Sequence, residues 1–421
     1  MLRRYRYSME HHWITAAKMG RLYPMFHQEV VPGDTWSGVQ QMLVRVEPLN
    51  LPAFLRARID TYFFYVPHRI IWEDFEDFIT GAAAPTFPSK NIGIAYSEIW
   101  KAFGLGPPAS TASYPVSKLP LRAYNLIWNE YFRDQQLQAE RTEDQEGLAQ
   151  VNHQPNSHYL RMRAEIQQGA EATAPVVSSE VAATDMMDAI REQKWKARRA
   201  QFGERYYDYL RALGLNVPAD RLDRPEFVAK GMGSIGISEV VSTADTTGAT
   251  VGAYTGHGIA GVQTRFRKKT FLEHGTLLGL YCVRPRHVMR NRVDPQFRLF
   301  SSESFYRPEL AHNTHEPVTS LELNSKAGTS AGSVAGYLPK YELFRSARDT
   351  IAGDMQRPEY ESWHASQEFS ENAATQILSI MPVQRYNYLF QNTSETDPNF
   401  LTYCQNNIGV RRIVPTREVI A

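Results

Sequence analysis

The run Ile59-Asp60-Thr61-Tyr62-Phe63-Phe64-Tyr65-Val66-Pro67 restricts the fold more than any other stretch of the chain. From Ile59 to Val66 every residue except Asp60 is β-branched or aromatic, so both alternating faces are apolar. A strand with one wet face would alternate apolar with polar, and this one must therefore be covered on both sides inside a large β-structure. Pro67, which cannot donate to a ladder, closes it, and a helix-like segment follows from Ile71 to Ile79. Upstream, residues Val30 to Thr35 form a turn between two strand-like runs, the second of which places Met42, Val44 and Val46 on one face.

Farther along, Pro120 opens a helix in which Tyr124, Trp128, Tyr131 and Phe132 recur at helical spacing, with proline in the first turn where a helix accepts it. Residues 135–181 are polar and aperiodic and read as meandering loop. Asp185 as N-cap and Gly214 as C′ glycine bound a long second helix with an aromatic stripe through Trp195, Phe202, Tyr206 and Tyr209. Next come Phe227-Val228 and the glycine-rich stretch Gly231 to Gly236. A Ser/Thr/Gly/Ala tract from Ser242 to Gly261 reads as a surface excursion. Val262–Phe271 and Thr276–Val283 read as one hairpin around Glu273-His274-Gly275, and residues 376–390 and 400–414 as closing strands. Strands near 25–68 and 262–414, with helices and loops inserted near 70–225, predict a mainly β chain. The expected fold is an eight-stranded antiparallel jelly-roll barrel with large α-helix-containing loop insertions, one domain over residues 1–421.

Composition agrees with a loop-rich β-fold: aromatics make up 12% and charged residues 22%, with 24 Pro and 26 Gly. The net charge of +1 means that any affinity for polyanions must be local. Cys282 and Cys404 lie in apolar strand-like runs and read as buried thiols in a reducing compartment. The basic N-terminus has no apolar stretch behind it, so neither a signal peptide nor a membrane span is expected, and synthesis in the cytoplasm is. Asn392-Thr393-Ser394 matches a glycosylation acceptor and reads as a polar turn.

Few motifs suggest chemistry. Gly328-Thr329-Ser330-Ala331-Gly332 has the nucleophile-elbow spacing but lacks the flanking strand and helix that would expose the serine to a base. His312, His315 and Glu316, and likewise Glu10-His11-His12, could offer donors to a metal. No helix fixes their spacing, and solvated or hydrogen-bonded histidines are the simpler reading. Glu73/Glu76 and Asp74/Asp77 describe a solvated helix face. No catalytic residue, cofactor or metal site is assigned.

The basic clusters carry more information. Arg284, Arg286, Arg290 and Arg292 crowd into nine residues, and Arg265, Arg267, Lys268 and Lys269 into the strand before, so a hairpin would bring the two together. Arg3, Arg4 and Arg6, interleaved with Tyr5 and Tyr7, supply cations and stacking rings on a mobile arm. Phosphate recognition needs convergent cations, and single strands also favour aromatic platforms. Arg3, Arg4, Arg6, Arg284, Arg286, Arg290 and Arg292 are therefore the expected nucleic-acid contacts, against the alternative of inter-subunit salt bridges or plain solubility.

Met19-Gly20-Arg21-Leu22, Pro32-Gly33-Asp34, Asp60-Thr61 and Phe64-Tyr65-Val66-Pro67-His68-Arg69 resemble, in order and spacing, the N-terminal part of the major capsid protein of microviruses, small tailless phages with single-stranded DNA. The aromatic helix Tyr124 to Arg133, the cluster Arg205 to Leu210, Glu273-His274-Gly275-Thr276 and the C-terminal Arg411 to Arg417 are similar to later landmarks of that family. The resemblance implies a non-enzymatic shell subunit that self-assembles through pentamers into a T=1 icosahedral virion around single-stranded DNA. It also implies a small basic DNA-packaging protein as partner, with scaffolding and spike proteins as further ones. Some branches carry an insertion that builds a threefold protrusion, and this chain is close to the short forms. The rival reading is a jelly-roll carbohydrate-binding protein or glycosidase whose exposed aromatics stack on sugars.

Overall fold

A computed structural model of the chain describes residues 4–81, 85–109, 112–135, 138–154, 191, 223–241, 254–286, 288–310, 315–326, 332–367, 383–394 and 397–414. In chain order the strands are β1 (Tyr5–Ser8), β2 (His11–Ala17), β3 (Leu22–Val30), β4 (Thr35–Leu49), β5 (Ala57–Pro67), β6 (Ser89–Ile92), β7 (Tyr114–Ser117) and β8 (Glu226–Ser234). They continue with β9 (Gly236–Val241), β10 (Tyr254–Thr270), β11 (Gly275–Pro285), β12 (Val288–Met289), β13 (His315–Thr319), β14 (Val334–Pro339), β15 (Ser366–Gln367) and β16 (Phe400–Arg412). The architecture is mainly β, with two principal antiparallel sheets. One runs β1–β16–β4–β10–β9, with β2 also on β16, and the other runs β3–β11–β5–β8. Three helices, α1 (Phe75–Thr80), α2 (Glu98–Ala102) and α3 (Leu119–Tyr131), follow β5.

The doubly apolar strand lies where its sequence requires. All of β5 except Arg58 is buried. Its odd-numbered side chains face the other sheet: Phe63 meets Phe266 of β10 at a ring separation of 4.2 Å, and the hydroxyls of Thr61 and Thr264 are 2.6 Å apart. Its even-numbered side chains face the helical cover, where Tyr62 packs edge-on against Phe132 at 5.1 Å and Phe64 against Tyr131 at 4.6 Å. Burial of one such ring stabilises by about 1.5–3 kcal/mol, and these rings lie in one continuous core.

The cover is fixed by polar groups at the rim of an apolar face. In α3, Leu121, Tyr124, Ile127 and Trp128 are buried. The Tyr124 hydroxyl donates to the Leu22 carbonyl and accepts from the Ala149 amide, both at 2.8 Å. Trp128 Nε1 donates to the Gln150 carbonyl at 2.7 Å, so α3 also holds the segment that lies over β3.

Two backbone constraints set the sheet geometry. Pro32-Gly33 turns β3 into β4 with Gly33 at φ +82°, a left-handed conformation that favours glycine, and Asp34 Oδ2 accepts from the Val31 amide at 3.0 Å. In β8, a Cβ on Gly231 would sit 2.2 Å from Thr264 Oγ1 and one on Gly233 would sit 2.6 Å from the Gly261 carbonyl oxygen. The absent side chains let β8 approach β10 across the sandwich.

Several expectations change. The supposed hairpin does not form: β10 pairs with β4 and β9, whereas β11 pairs with β3 and β5, so the Glu273-His274 link crosses from one sheet to the other. The glycine-rich stretch is the body of β8, and Tyr254–Gly261 belongs to β10 rather than to an excursion, because small residues suit the close approach of the sheets. Val383–Leu389 is a 3-10 helix rather than part of a closing strand. The arm at Tyr5–Ser8 is a strand bonded to β16 rather than mobile. Regular helix begins only at Phe75, with Ile71 and Trp72 buried before it. Cys282 and Cys404 are free and buried, Glu73, Asp74, Glu76 and Asp77 are exposed, and the Ser394 amide donates to Asn392 Oδ1 in a polar turn, all as expected. The helix read from Asp185 to Gly214, with Tyr206, lies outside the described residues apart from Arg191, as do Ser330 and His312.

Two measurements check the packing. Trp128→Ala, which removes a buried ring and leaves the Gln150 carbonyl without its donor, should lower unfolding free energy by about 3–5 kcal/mol in urea titrations; an unchanged midpoint would overturn the packing assignment. The second concerns Glu29, whose carboxylate lies 2.8 Å from His68 Nε2 and 3.7 Å from His27 Nε2, and accepts from Thr276 Oγ1 at 3.0 Å. Burial holds His27 and His274 below the ordinary histidine pKa. Burial alone would raise the Glu29 pKa, but His68 leads the groups that pull it below normal. An imidazole with a depressed folded pKa binds its proton more readily in the unfolded chain, so stability falls as pH drops below about 6.5. Glu29 adds a loss of the same sign as pH falls below about 4.5 and through its folded pKa. The urea midpoint should therefore decrease from about pH 7.5 to 5, and His27→Gln should shrink that decrease.

Candidate nucleic-acid interface

The arginines after β11 are close in sequence and separately engaged in space. Arg284 ends a wholly buried strand and is 7% exposed. Its Nε lies 3.7 Å from Asp60 Oδ2 and 3.2 Å from Cys282 Sγ, and its guanidinium lies over the Tyr62 and Phe132 rings at 6.0 and 5.6 Å. Burial works against its charge, but Cys282, Tyr62 and Asp60 more than offset this and hold its pKa above the ordinary arginine value. Asp60 itself is fully buried and also meets Arg58, with Oδ1 2.8 Å from Nε and Oδ2 accepting from Nη2 at 2.9 Å.

The other three leave the sheet and tie down the segment between β11 and β16. Arg286 pairs with Asp349. Arg290 Nη2 is 3.1 Å from Glu361 Oε1, and Arg292 Nη1 is 3.1 Å from Asp294 Oδ2 while its Nη2 donates to Thr350 Oγ1 at 2.9 Å. All four thus meet carboxylates of the same chain. For Arg284 the reason lies in topology: β11 runs through the middle of a covered sheet, so a cation near its end must bring a counter-ion inside with it.

The N-terminal residues are placed differently. Arg4 and Arg6 are exposed, and Arg6 stands directly opposite Arg411 in the β1–β16 ladder. Neither Arg4 nor Arg6 has a carboxylate partner among the described residues, and Arg3 lies outside them. Tyr7 donates from its hydroxyl to the Val414 carbonyl at 2.6 Å. Arg412 beside them is committed: its Nη2 donates to the buried Asp34 at 2.6 Å, locking the end of β16 onto the β3–β4 turn.

The second basic cluster is divided as well. Lys269 pairs with Glu226 across the sandwich, while Arg265, Arg267 and Lys268 are exposed on β10 and carry no carboxylate partner among the described residues. They project from the first sheet, whereas Arg284 is enclosed in the second, so the two clusters do not converge. Of the histidine groups, His11 Nδ1 lies 2.8 Å from the Met9 carbonyl oxygen, and His12 Nδ1 lies 2.7 Å from the Tyr403 hydroxyl. Glu316 lies 3.6 Å from Lys340. Two features not singled out from the sequence are Arg45 and the outward rank of β16, exposed Leu401, Tyr403 and Asn407 with half-buried Gln405. Their signal is a period of two beside buried Thr402, Cys404, Asn406 and Ile408.

Comparison with known proteins gives a consistent result. The family model described as capsid protein (F protein) matches residues 1–168 and 172–421. Capsid protein VP1 of Chlamydia phage 1 is 23% identical, with 91% of this chain and 90% of that protein covered. Capsid protein VP1 of Bdellovibrio phage phiMH2K is 24% identical over 87% of this chain and 86% of its own length, and capsid protein F of Escherichia phage G4 is 24% identical over 97% and 95%. The first alignment runs over 541 positions, longer than the 421-residue chain, so that relative carries insertions absent here.

The inward commitment of Arg284 has a direct test. Asp60→Ala leaves two guanidinium groups without their buried partner and should destabilise the chain by about 3–5 kcal/mol in chemical denaturation. A loss below about 1 kcal/mol, the range of a surface pair, would contradict the placement.

Proposed function

The chain belongs to the capsid protein (F protein) family, and on that premise we propose that it is the major subunit of a T=1 icosahedral shell enclosing single-stranded DNA. Its role is structural, and its place is the virion. The observation that carries this reading is the family match over both sheets and nearly every residue.

The strand order supports the finer fold assignment. The orders β2–β16–β4–β10 and β3–β11–β5–β8 are those of an eight-stranded jelly roll, in which the chain alternates between sheets except from β5 to its neighbour β8. The large insertions then fall between β5 and β8 and between β11 and β16. The second contains its own small cluster of Met289, Val318, Leu323, Ala335 and Leu338.

Exposed aromatics support self-assembly. Phe297 is 77% exposed and Phe300 86%, and Phe305 and Tyr306 stand close to them in sequence. Several large rings left in water on one excursion mark a surface that becomes buried on association. Each contact can be modest, because closed symmetry makes many of them act together, through pentamers and then the shell. With a net charge of +1 the subunit cannot neutralise a genome by itself, which fits a small basic packaging protein beside the DNA, with scaffolding and spike proteins as further partners.

Purified chain, alone or with its phage partners, should sediment as pentamers and closed shells and show icosahedral particles in negative stain. A chain that stays monomeric at high concentration with those partners present would defeat the proposal. A small oligomer that binds oligosaccharides would favour the carbohydrate-binding reading instead.

A further inference from the structure

The two principal sheets differ in what covers them. In the sheet containing β5, the central strands β5 and β11 are covered on both faces, whereas the central strands of the sheet containing β16 are buried on one face and open on the other. Along β16 the burial alternates without interruption from Phe400 to Ile408, and along β4 from Gln40 to Val46.

The open sheet also concentrates positive charge. Its six strands contain eight basic residues, one in β1, one in β4, four in β10 and two in β16, against two acidic ones, Glu47 in β4 and Glu239 in the edge strand β9. In a chain of net charge +1, that is a strong local departure. Arg412 and Lys269 are neutralised by Asp34 and Glu226, but Arg6, Arg45, Arg265, Arg267 and Arg411 are exposed and have no carboxylate partner among the described residues. Arg6 and Arg411 face each other directly across the ladder, and like charges so placed repel unless an anion lies over them.

The rest of the face is suited to bases rather than to a second ionic surface. Gln405, Gln41 and Gln263 stand in register on adjacent strands, a row of exposed or half-buried amides about 4.8 Å apart. Each can donate and accept, so the row can meet the edge of any base. In the next row Tyr403, 38% exposed, stacks with His12 at a ring separation of 5.4 Å and an interplanar angle of 25°. Ile14 and Leu43 extend that row as apolar platform on either side, since Tyr403 is in register with both. Four strands span roughly 14 Å between outer axes, too wide for a duplex major groove of about 12 Å, while a flat sheet with rings and cations accommodates splayed single-stranded bases.

We propose that this open face, with Arg6, Arg411, Arg265 and Arg267 holding phosphates and Tyr403 with the glutamine row meeting bases, is the surface on which the chain seats single-stranded DNA without base preference. The assignment rests on the shell reading above for the presence of DNA. It replaces the arginines after β11 as the main contact, since those are already paired.

The test uses unassembled full-length chain and a fluorescein-labelled oligodeoxythymidine of about sixteen nucleotides, read by fluorescence anisotropy across a salt series. Arg265→Gln, Arg267→Gln and Arg411→Gln together should weaken binding at least about tenfold and reduce the slope of log affinity against log salt by about 2, the value for three single-strand phosphates. The matching triple change to Lys should keep the salt slope, and Tyr403→Ala should weaken binding with the slope unchanged. Unaltered thermal melts will show that each variant is folded. No binding by the unsubstituted chain, or equal affinity and slope in the Gln variant, overturns the proposal. So does a Gln variant that no longer forms shells while its subunits bind the oligonucleotide normally, which would make the face an interface between copies. Failure of the unsubstituted chain to form shells, with oligonucleotide binding intact and lost in the Gln variant, would count against the shell reading and support this one.

Discussion

Burial of β5 on both faces is the constraint on which the rest of the structure depends. A strand carrying Tyr62, Phe63, Phe64 and Tyr65 in succession exposes large rings unless two layers close over it. One layer is the opposite sheet, reached through Phe63 and Phe266. The other is α3 with its flanking segment, reached through Tyr62, Phe64, Tyr131 and Phe132. Once β5 and its neighbour β11 are covered on both sides, the opposite sheet receives cover only from within and keeps its outer face open. The asymmetry between the two sheets thus has two local sources, the doubly apolar β5 and the alternating pattern of β4 and β16.

That asymmetry sorts the charges. Cations that start from the closed sheet, such as Arg284, enter a region where desolvation is costly and are found with Asp60 already in place. Cations that start from the open sheet reach water at no such cost and need no ion pair, as with Arg265 and Arg411, which have no carboxylate partner among the described residues. Arginines that are equally prominent in the sequence thus divide into a structural group and an available group, and the division follows the layer from which they project. Arg412 shows the boundary: one residue from exposed Arg411 and pointing the other way, it is held by fully buried Asp34.

Much of the fold could be read locally. The doubly buried strand, the Pro32-Gly33 turn, the Met42-Val44-Val46 face and the aromatic helix with Pro120 in its first turn all follow from side-chain period and turn chemistry, and each appears as read. The misreadings share a cause. Val262–Phe271 and Thr276–Val283 look like a hairpin because they are strands joined by a short link. Yet β10 and β11 each find better partners in different sheets, and nothing local distinguishes a link that turns back from one that crosses over. Tyr254–Gly261 reads as surface excursion because small polar residues and glycine lower strand propensity, while the close approach of the two sheets that makes such residues suitable in β8 and β10 is a property of the assembled sandwich.

By itself the sequence determined the class of the fold, the strand that must lie at its centre and the family resemblance, because these depend on period, on composition and on the order of short motifs. It also showed that basic residues cluster. Only the tertiary structure decided which of them are available, since a guanidinium's freedom depends on whether a carboxylate distant in the chain lies beside it. Asp60 and Arg284 are far apart in sequence and meet diagonally across the β5–β11 pair, where Asp60 lies opposite Cys282 and Arg284 opposite Arg58. Arg6 and Arg411 come from opposite ends of the chain and meet, with no carboxylate partner among the described residues, because β1 and β16 are neighbours in the open sheet.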